Sequence, residues 1–139
     1  MLPAPLSASD AARQHEKLCT LVFADHGALA VAVAARMAEL IRERTAAARP
    51  VVLGLATGST PIGVYRELIR LHREEGLSFR RVVTFNLDEY WPMAASSIHS
   101  YRRFMDENLF DHVDIDAKNV HIPLGNAARE RVDEECRRY

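Results

Sequence analysis

Val51-Val52-Leu53-Gly54-Leu55-Ala56-Thr57-Gly58-Ser59-Thr60-Pro61 is the stretch on which the fold turns. Val51 to Leu55 is a continuous apolar run, the pattern of a strand covered on both faces. Thr57 to Thr60 reads as a turn, with Gly58 allowing the backbone to reverse tightly. Thr60 is placed to cap a helix whose first position suits Pro61, because the N–H that proline lacks has no partner there anyway. That helix is expected to run to about Glu75 and to be closed by Gly76.

The same alternation extends in both directions. Upstream, Cys19 to Phe23 is short, apolar and β-branched, a strand candidate, and Asp25 stands where a helix N-cap belongs. Ala28 to Arg44 then carries Leu29, Val33, Met37 and Leu40 on one helical stripe, read as core. Residues 1–16 are mixed and polar, a loose lead-in. Downstream, Arg81 to Asn86 is a third strand candidate, and a loop from Asp88 to about Ile98 leads into a helix over His99 to Phe110. Asn119 to Ile122 is a shorter strand candidate, and Ala127 to Tyr139 begins another helix. Strand and helix alternating at this rhythm predict an α/β fold. The expected form is a three-layer α/β/α, Rossmann-like, mainly parallel sheet joined by right-handed crossovers. Residues 1–139 are expected to be a single partial domain. The last helical pattern reaches Cys136-Arg137-Arg138-Tyr139 with no Gly or Pro stop, the mark of a cut chain.

Bulk properties exclude several function classes. Among 139 residues, 18 basic and 19 acidic side chains leave a formal net charge of -1, so no basic field is available for nucleic acid. The longest apolar run, Gly27 to Ala35, is far short of the roughly 20 residues that a membrane span needs. Met1 to Asp10 lacks the basic-then-apolar order of a signal peptide, and a cytoplasmic location follows. Cys19 and Cys136 stand alone and fit buried thiols of a reducing compartment. No two histidines share a helix at metal-ligand spacing, so no zinc site is expected. The Arg102 and Arg103 side chains are expected on a solvated helix face.

Two loops carry the chemistry, since ligands of such sheets bind outside the carboxyl ends of the strands. Thr57-Gly58-Ser59-Thr60 places hydroxyls and free N–H groups at the positive end of a helix, which is a phosphate site. An ordinary capped turn has the same residues, and spacing alone does not separate the two. The second loop, Thr84-Phe85-Asn86-Leu87-Asp88-Glu89-Tyr90, offers two carboxylates. Adjacent residues on an extended segment point to opposite faces, so at most one of Asp88 and Glu89 faces a pocket. An isolated acidic pair is more often a solvated loop charge; what favours Asp88 is its place one strand away from the Thr57 loop.

VVLGLATGSTPIGVYREL (51–68) and VVTFNLDEY (82–90) resemble the two amino-terminal signatures of glucosamine-6-phosphate deaminases. SYRRFMDENLFDHVDI (100–115) and NVHIPLGNA (119–127) resemble the segments that follow them in that family. The resemblance implies that Thr57, Gly58, Ser59 and Thr60 hold a sugar phosphate and that Asp88 is the general base moving a proton between C2 and C1. It implies that Glu89 supports the loop. The implied reaction turns glucosamine 6-phosphate and water into fructose 6-phosphate and ammonia without cofactor or metal. The partner is a small sugar phosphate, with association into a homo-oligomer left open. Trp91 to Ile98 departs from the Gly-Leu-Pro-type sequence of typical members and is closer to an elongated subgroup. The family's ring-opening segment, a Gly-His dipeptide followed by Asn-Glu-Pro, has no counterpart in residues 1–139, so only part of an active site is expected. A 6-phosphogluconolactonase-like hydrolase is the alternative, although its loop usually reads Asp-Glu-Arg where Tyr90 stands here. A non-catalytic sugar-phosphate-binding domain is the other.

Overall fold

In the computed structural model, which describes Leu18 and residues 20–139, the carboxylate of Asp25 accepts the N–H of Ala28 at 2.7 Å and starts helix α1 (His26–Ala46). This is the N-cap that the sequence placed there. Then follow β1 (Val51–Leu55), α2 (Ile62–Glu75), β2 (Val82–Asn86), α3 (Tyr101–Asn108), β3 (Val120–His121) and α4 (Val132–Arg138). Gly76 closes α2 at φ 68°, a left-handed cap whose N–H returns to the Leu71 carbonyl. The expected cap at Thr60 does not form. Pro61 occupies the cap position without a side-chain bond, and the Thr60 carbonyl instead meets Nε2 of His26 at 2.8 Å.

The three strands are parallel in the order β1-β2-β3, with β1 and β2 in register from Val51↔Val82 to Leu55↔Asn86. Strand β3 adds Thr84↔Val120 and Phe85↔His121. The expected lead-in over 1–16, and Cys19, lie outside the described residues. Within Thr20 to Phe23 only Val22 makes a single bridge, and this segment is not a strand of the sheet. Leu21 and Val22 are exposed: an apolar, β-branched run shows an aptitude for pairing but does not supply a neighbour.

Most helical packing lies on one face. Val51, Leu53, Leu55 and Val82 pack with Ala34, Ala38 and Ile41 of α1, Tyr65, Leu68 and Leu71 of α2, and Met105 of α3. Each large apolar side chain buried there contributes roughly 1.5–3 kcal/mol. The buried face of α1 is Ala30, Ala34, Ala38 and Ile41, one residue on from the expected stripe. Leu29 and Val33 are 36% and 38% exposed, while Met37 and Leu40 pack at the core margin. The reason is close approach: a Cβ on Gly63 of α2 would stand 3.0 Å from the Cβ of Ala30. Helices this close select alanine and glycine at the contact and turn bulkier neighbours outward.

On the opposite face of the sheet Val52 is 61% exposed, so β1 alternates rather than being covered on both sides. Cover there comes from Tyr139 at the end of α4. Its ring meets Phe85 at 6.0 Å, and its hydroxyl donates to the Asn86 carbonyl at 2.6 Å. Cys136, expected to be buried, is exposed on α4. Among the described residues, no helix is long and apolar enough to cross a membrane.

Candidate active site

The parallel register decides the geometry of this edge. Leu55 and Asn86 are partners at the carboxyl ends of β1 and β2, so the Thr57 loop and the Asp88 loop leave neighbouring strands side by side. Asn86 is buried, and its Nδ2 donates to the Leu55 carbonyl at 3.0 Å, which ties the two strand ends together.

In the first loop Thr57 is half-buried, while Gly58, Ser59 and Thr60 are exposed. Gly58 has φ 95°, a conformation that side-chain-bearing residues rarely adopt, and space for a Cβ is open there. Glycine is therefore required by the backbone turn rather than by crowding. The loop is held from below by Tyr65, 2% exposed, whose hydroxyl donates to the Ala56 carbonyl. Burial pushes the Tyr65 phenol up to about 12, against the opposing effect of that bond. From the side, His26 reaches the Thr60 carbonyl, to which a ring nitrogen can only donate.

In the second loop Asp88 is exposed, and its neighbour is clamped. One oxygen of Glu89 accepts the N–H groups of Tyr90 at 2.9 Å and Tyr101 at 3.0 Å. The other accepts the Ser100 hydroxyl at 2.7 Å and the Arg102 N–H at 2.9 Å. Glu89 is thus an anion on the open N–H groups of α3, in addition to the N-cap Ser100. Burial alone would raise its pKa, but the bonds from Tyr101, Arg102, Ser100 and Tyr90 prevail and hold it below the usual carboxylate range. Farther along, the Trp91 indole donates to the Ala127 carbonyl at 2.8 Å and the Met93 N–H to the Gly125 carbonyl at 2.7 Å. Of the two carboxylates, Glu89 is therefore spent on structure, and Asp88 is left at the surface of the shared edge.

Sequence reasoning missed the phenols beside these loops. Tyr101 is the first residue of α3, and its ring lies 4.8 Å from that of Tyr90 with the hydroxyls 3.0 Å apart. The bond to Tyr90 is the main cause that raises the Tyr101 phenol; the Asp88 charge adds to it and the Thr57 hydroxyl opposes it. A usable signal was Ser100, a good N-cap one residue later than the helix start assigned from the pattern. Arg102 and Arg103 pair with Asp106 and Glu107 one turn along α3, the solvated face that was expected. A cleft of about 530 Å³ lies nearby, lined by Glu89, Arg102, Asp106, His121 and Tyr139 among others. It takes Glu89 from the loop, but neither Asp88 nor any of Thr57 to Thr60, so this cleft is not where the two loops meet. Among the described residues no cluster of three His, Cys, Asp or Glu could hold a metal ion.

The family model for glucosamine-6-phosphate isomerases/6-phosphogluconolactonase matches residues 24–139. Glucosamine-6-phosphate deaminase 2 of Giardia intestinalis is 54% identical over 110 residues, which are 79% of this chain and 40% of that protein. The glucosamine-6-phosphate deaminase of Treponema denticola is 54% identical over 91 residues, 66% of this chain and 33% of its own length. A glucosamine-6-phosphate deaminase-like protein of Bacteroides thetaiotaomicron is 44% identical over 89% of this chain, which is 19% of that protein. The chain thus spans two fifths or less of these curated relatives. Among solved structures, a monomeric glucosamine-6-phosphate deaminase superposes with a TM-score of 0.76 at 42% identity, over 83% of this chain and 45% of that one. A 6-phosphogluconolactonase from Thermotoga maritima superposes with a TM-score of 0.55 at 26% identity, over 76% of this chain and 50% of that one.

Proposed function

The chain belongs to the glucosamine-6-phosphate isomerase/6-phosphogluconolactonase family, and on that premise we propose that it serves the isomerising deamination of glucosamine 6-phosphate to fructose 6-phosphate and ammonia in the cytoplasm. In this reading it acts as one partial domain. Thr57 to Thr60 take the phosphate through their N–H groups and hydroxyls, aided by the positive end of α2. Asp88 removes the C2 proton, which the neighbouring C1 carbonyl of the opened sugar acidifies, and returns it to C1. The resulting C2 imine takes up water and releases ammonia. The observation that supports this most is the Leu55↔Asn86 register, which sets an exposed carboxylate beside a hydroxyl-rich helix start. Glu89 cannot take that role while its oxygens accept four bonds. The identity of 42–54% to deaminases, against 26% to a lactonase, favours the deaminase reaction over the hydrolase.

The reading finds no ring-opening group within residues 1–139, so these residues alone should release little ammonia. The decisive test replaces the segment of the Giardia intestinalis deaminase 2 that matches this chain over 110 residues with those residues of this chain. The chimera should release ammonia from glucosamine 6-phosphate, and Asp88→Asn should lower its turnover by about 10²–10⁴-fold, the usual contribution of a general base. Near-normal turnover of the folded Asp88→Asn chimera would remove Asp88 from the reaction.

A further inference from the structure

We propose that Tyr101 is a substrate-contacting residue of this site, its phenol meeting a hydroxyl of the sugar between the phosphate end at Thr57 and the reacting end at Asp88. The inference rests on the reading above and deepens it.

Four observations carry it. The N–H of Tyr101 is held by the same Glu89 oxygen that holds the N–H of Tyr90, so both phenol-bearing residues share one support on the Asp88 loop. Its ring leans on Tyr90 at an interplanar angle of 38°, which sets the direction of the hydroxyl. That hydroxyl donates to the Tyr90 hydroxyl at 3.0 Å and keeps acceptor capacity for a further partner. The Asp88 charge raises the phenol and the Thr57 hydroxyl lowers it, which supports the placement. A packing role would need the ring alone. A hydroxyl held at the surface against the Asp88 loop, with another half-exposed phenol as its partner, is suited to a polyhydroxylated ligand. Tyr90 would then orient Tyr101 rather than meet the sugar itself.

The test is calorimetric titration of residues 1–139 with glucosamine 6-phosphate and, separately, with inorganic phosphate. Tyr101→Phe keeps the ring and its packing on Tyr90. It should weaken glucosamine 6-phosphate binding roughly 3- to 10-fold, as expected for one lost hydrogen bond, and leave inorganic phosphate binding unchanged. Tyr90→Phe should show a smaller loss in the same direction. If Tyr101→Phe binds both ligands as the parent does, the assignment is overturned while the phosphate site stands. Equal losses for both ligands would mean that Tyr101 acts by holding the Thr57 loop, and would also overturn it. A larger loss in Tyr90→Phe than in Tyr101→Phe would move the contact to Tyr90. A parent chain that binds neither ligand would fail at the phosphate loop itself, and this proposal would fall with that reading.

Discussion

The buried side-chain amide of Asn86 donates to the main-chain carbonyl of Leu55 at 3.0 Å, across the two strands that end in the candidate loops. Losing one buried hydrogen bond and leaving its acceptor bare costs about 1–3 kcal/mol. Among the described residues Asn86 Oδ1 is itself buried without a partner, so removing it offsets part of that cost. Asn86→Ala should therefore destabilise by about 1 kcal/mol in urea unfolding. Asn86→Asp keeps the size but replaces the donor with a buried charge, and should be worse than alanine at pH 7. The order of the two variants is the check; Asp better than Ala would contradict the role given to this bond.

Glu89 should make the Asp88 loop acid-sensitive. Its folded pKa lies below the unfolded one, so its stabilising contribution is complete above the unfolded value and is lost as pH falls through the folded value. Stability measured from pH 7 down to 3 should fall below roughly pH 4 to 5 in the parent chain. Glu89→Gln should start lower and flatten that limb, since a neutral amide accepts fewer bonds and has no proton to gain. Parallel pH profiles for the two proteins would count against the clamp.

Tyr65 predicts a change at the other end of the pH scale. Burial raises its phenol to about 12, so folding favours the neutral form. Stability should be unaffected below the unfolded value near pH 10, fall as pH rises towards 12, and level off beyond it. The full loss is at most about 2–3 kcal/mol, as two pKa units imply. Tyr65→Phe should remove this dependence, and should cost about 1 kcal/mol at neutral pH through the lost bond to Ala56.

Two glycines should respond oppositely to alanine. A Cβ on Gly125 would stand 2.6 Å from the Tyr90 carbonyl oxygen and 2.7 Å from that of Met93, both main-chain atoms that cannot swing aside. Gly125→Ala should destabilise by about 1–3 kcal/mol and displace the Asp88 loop, visible as shifted amide resonances at Glu89 to Met93. On the open face of β1, a Cβ on Gly54 meets nothing within 4 Å. Gly54→Ala should be neutral, or stabilise by about 0.4–1 kcal/mol by restricting the unfolded chain. Similar losses at both positions would refute the packing account.

Much of the fold could be read because strand and helix print different hydrophobic periods. Val51–Leu55, the turn after it, the helix closed by Gly76 and the strand ending at Asn86 were all recoverable from local pattern, as was the Asp25 cap. The likeness of four ordered segments carried the family. Where the pattern failed, the cause was a neighbour it could not see. The stripe through Leu29 and Val33 is a sound amphipathic pattern, yet the approach of Gly63 selects Ala30, Ala34 and Ala38 for the interior. Cys19 to Phe23 has strand composition, but Thr20 to Phe23 finds no place in the three-stranded sheet.

The candidate site divides along the same line. Sequence by itself determined which residues sit at strand ends, because the end of an apolar run and the start of a helix are local events. It favoured Asp88 and, through the resemblance, gave Glu89 to the loop, but only tertiary structure showed how Glu89 is spent, on the start of α3 thirteen residues downstream at Arg102. It could not place Tyr101 beside Tyr90 either, because the two are eleven positions apart across loop and cap. The physical reason is that a side chain's role at a sheet edge depends on its hydrogen-bond partners and on the loops that converge there. Those are fixed by parallel register and helix packing, which no short window of sequence contains.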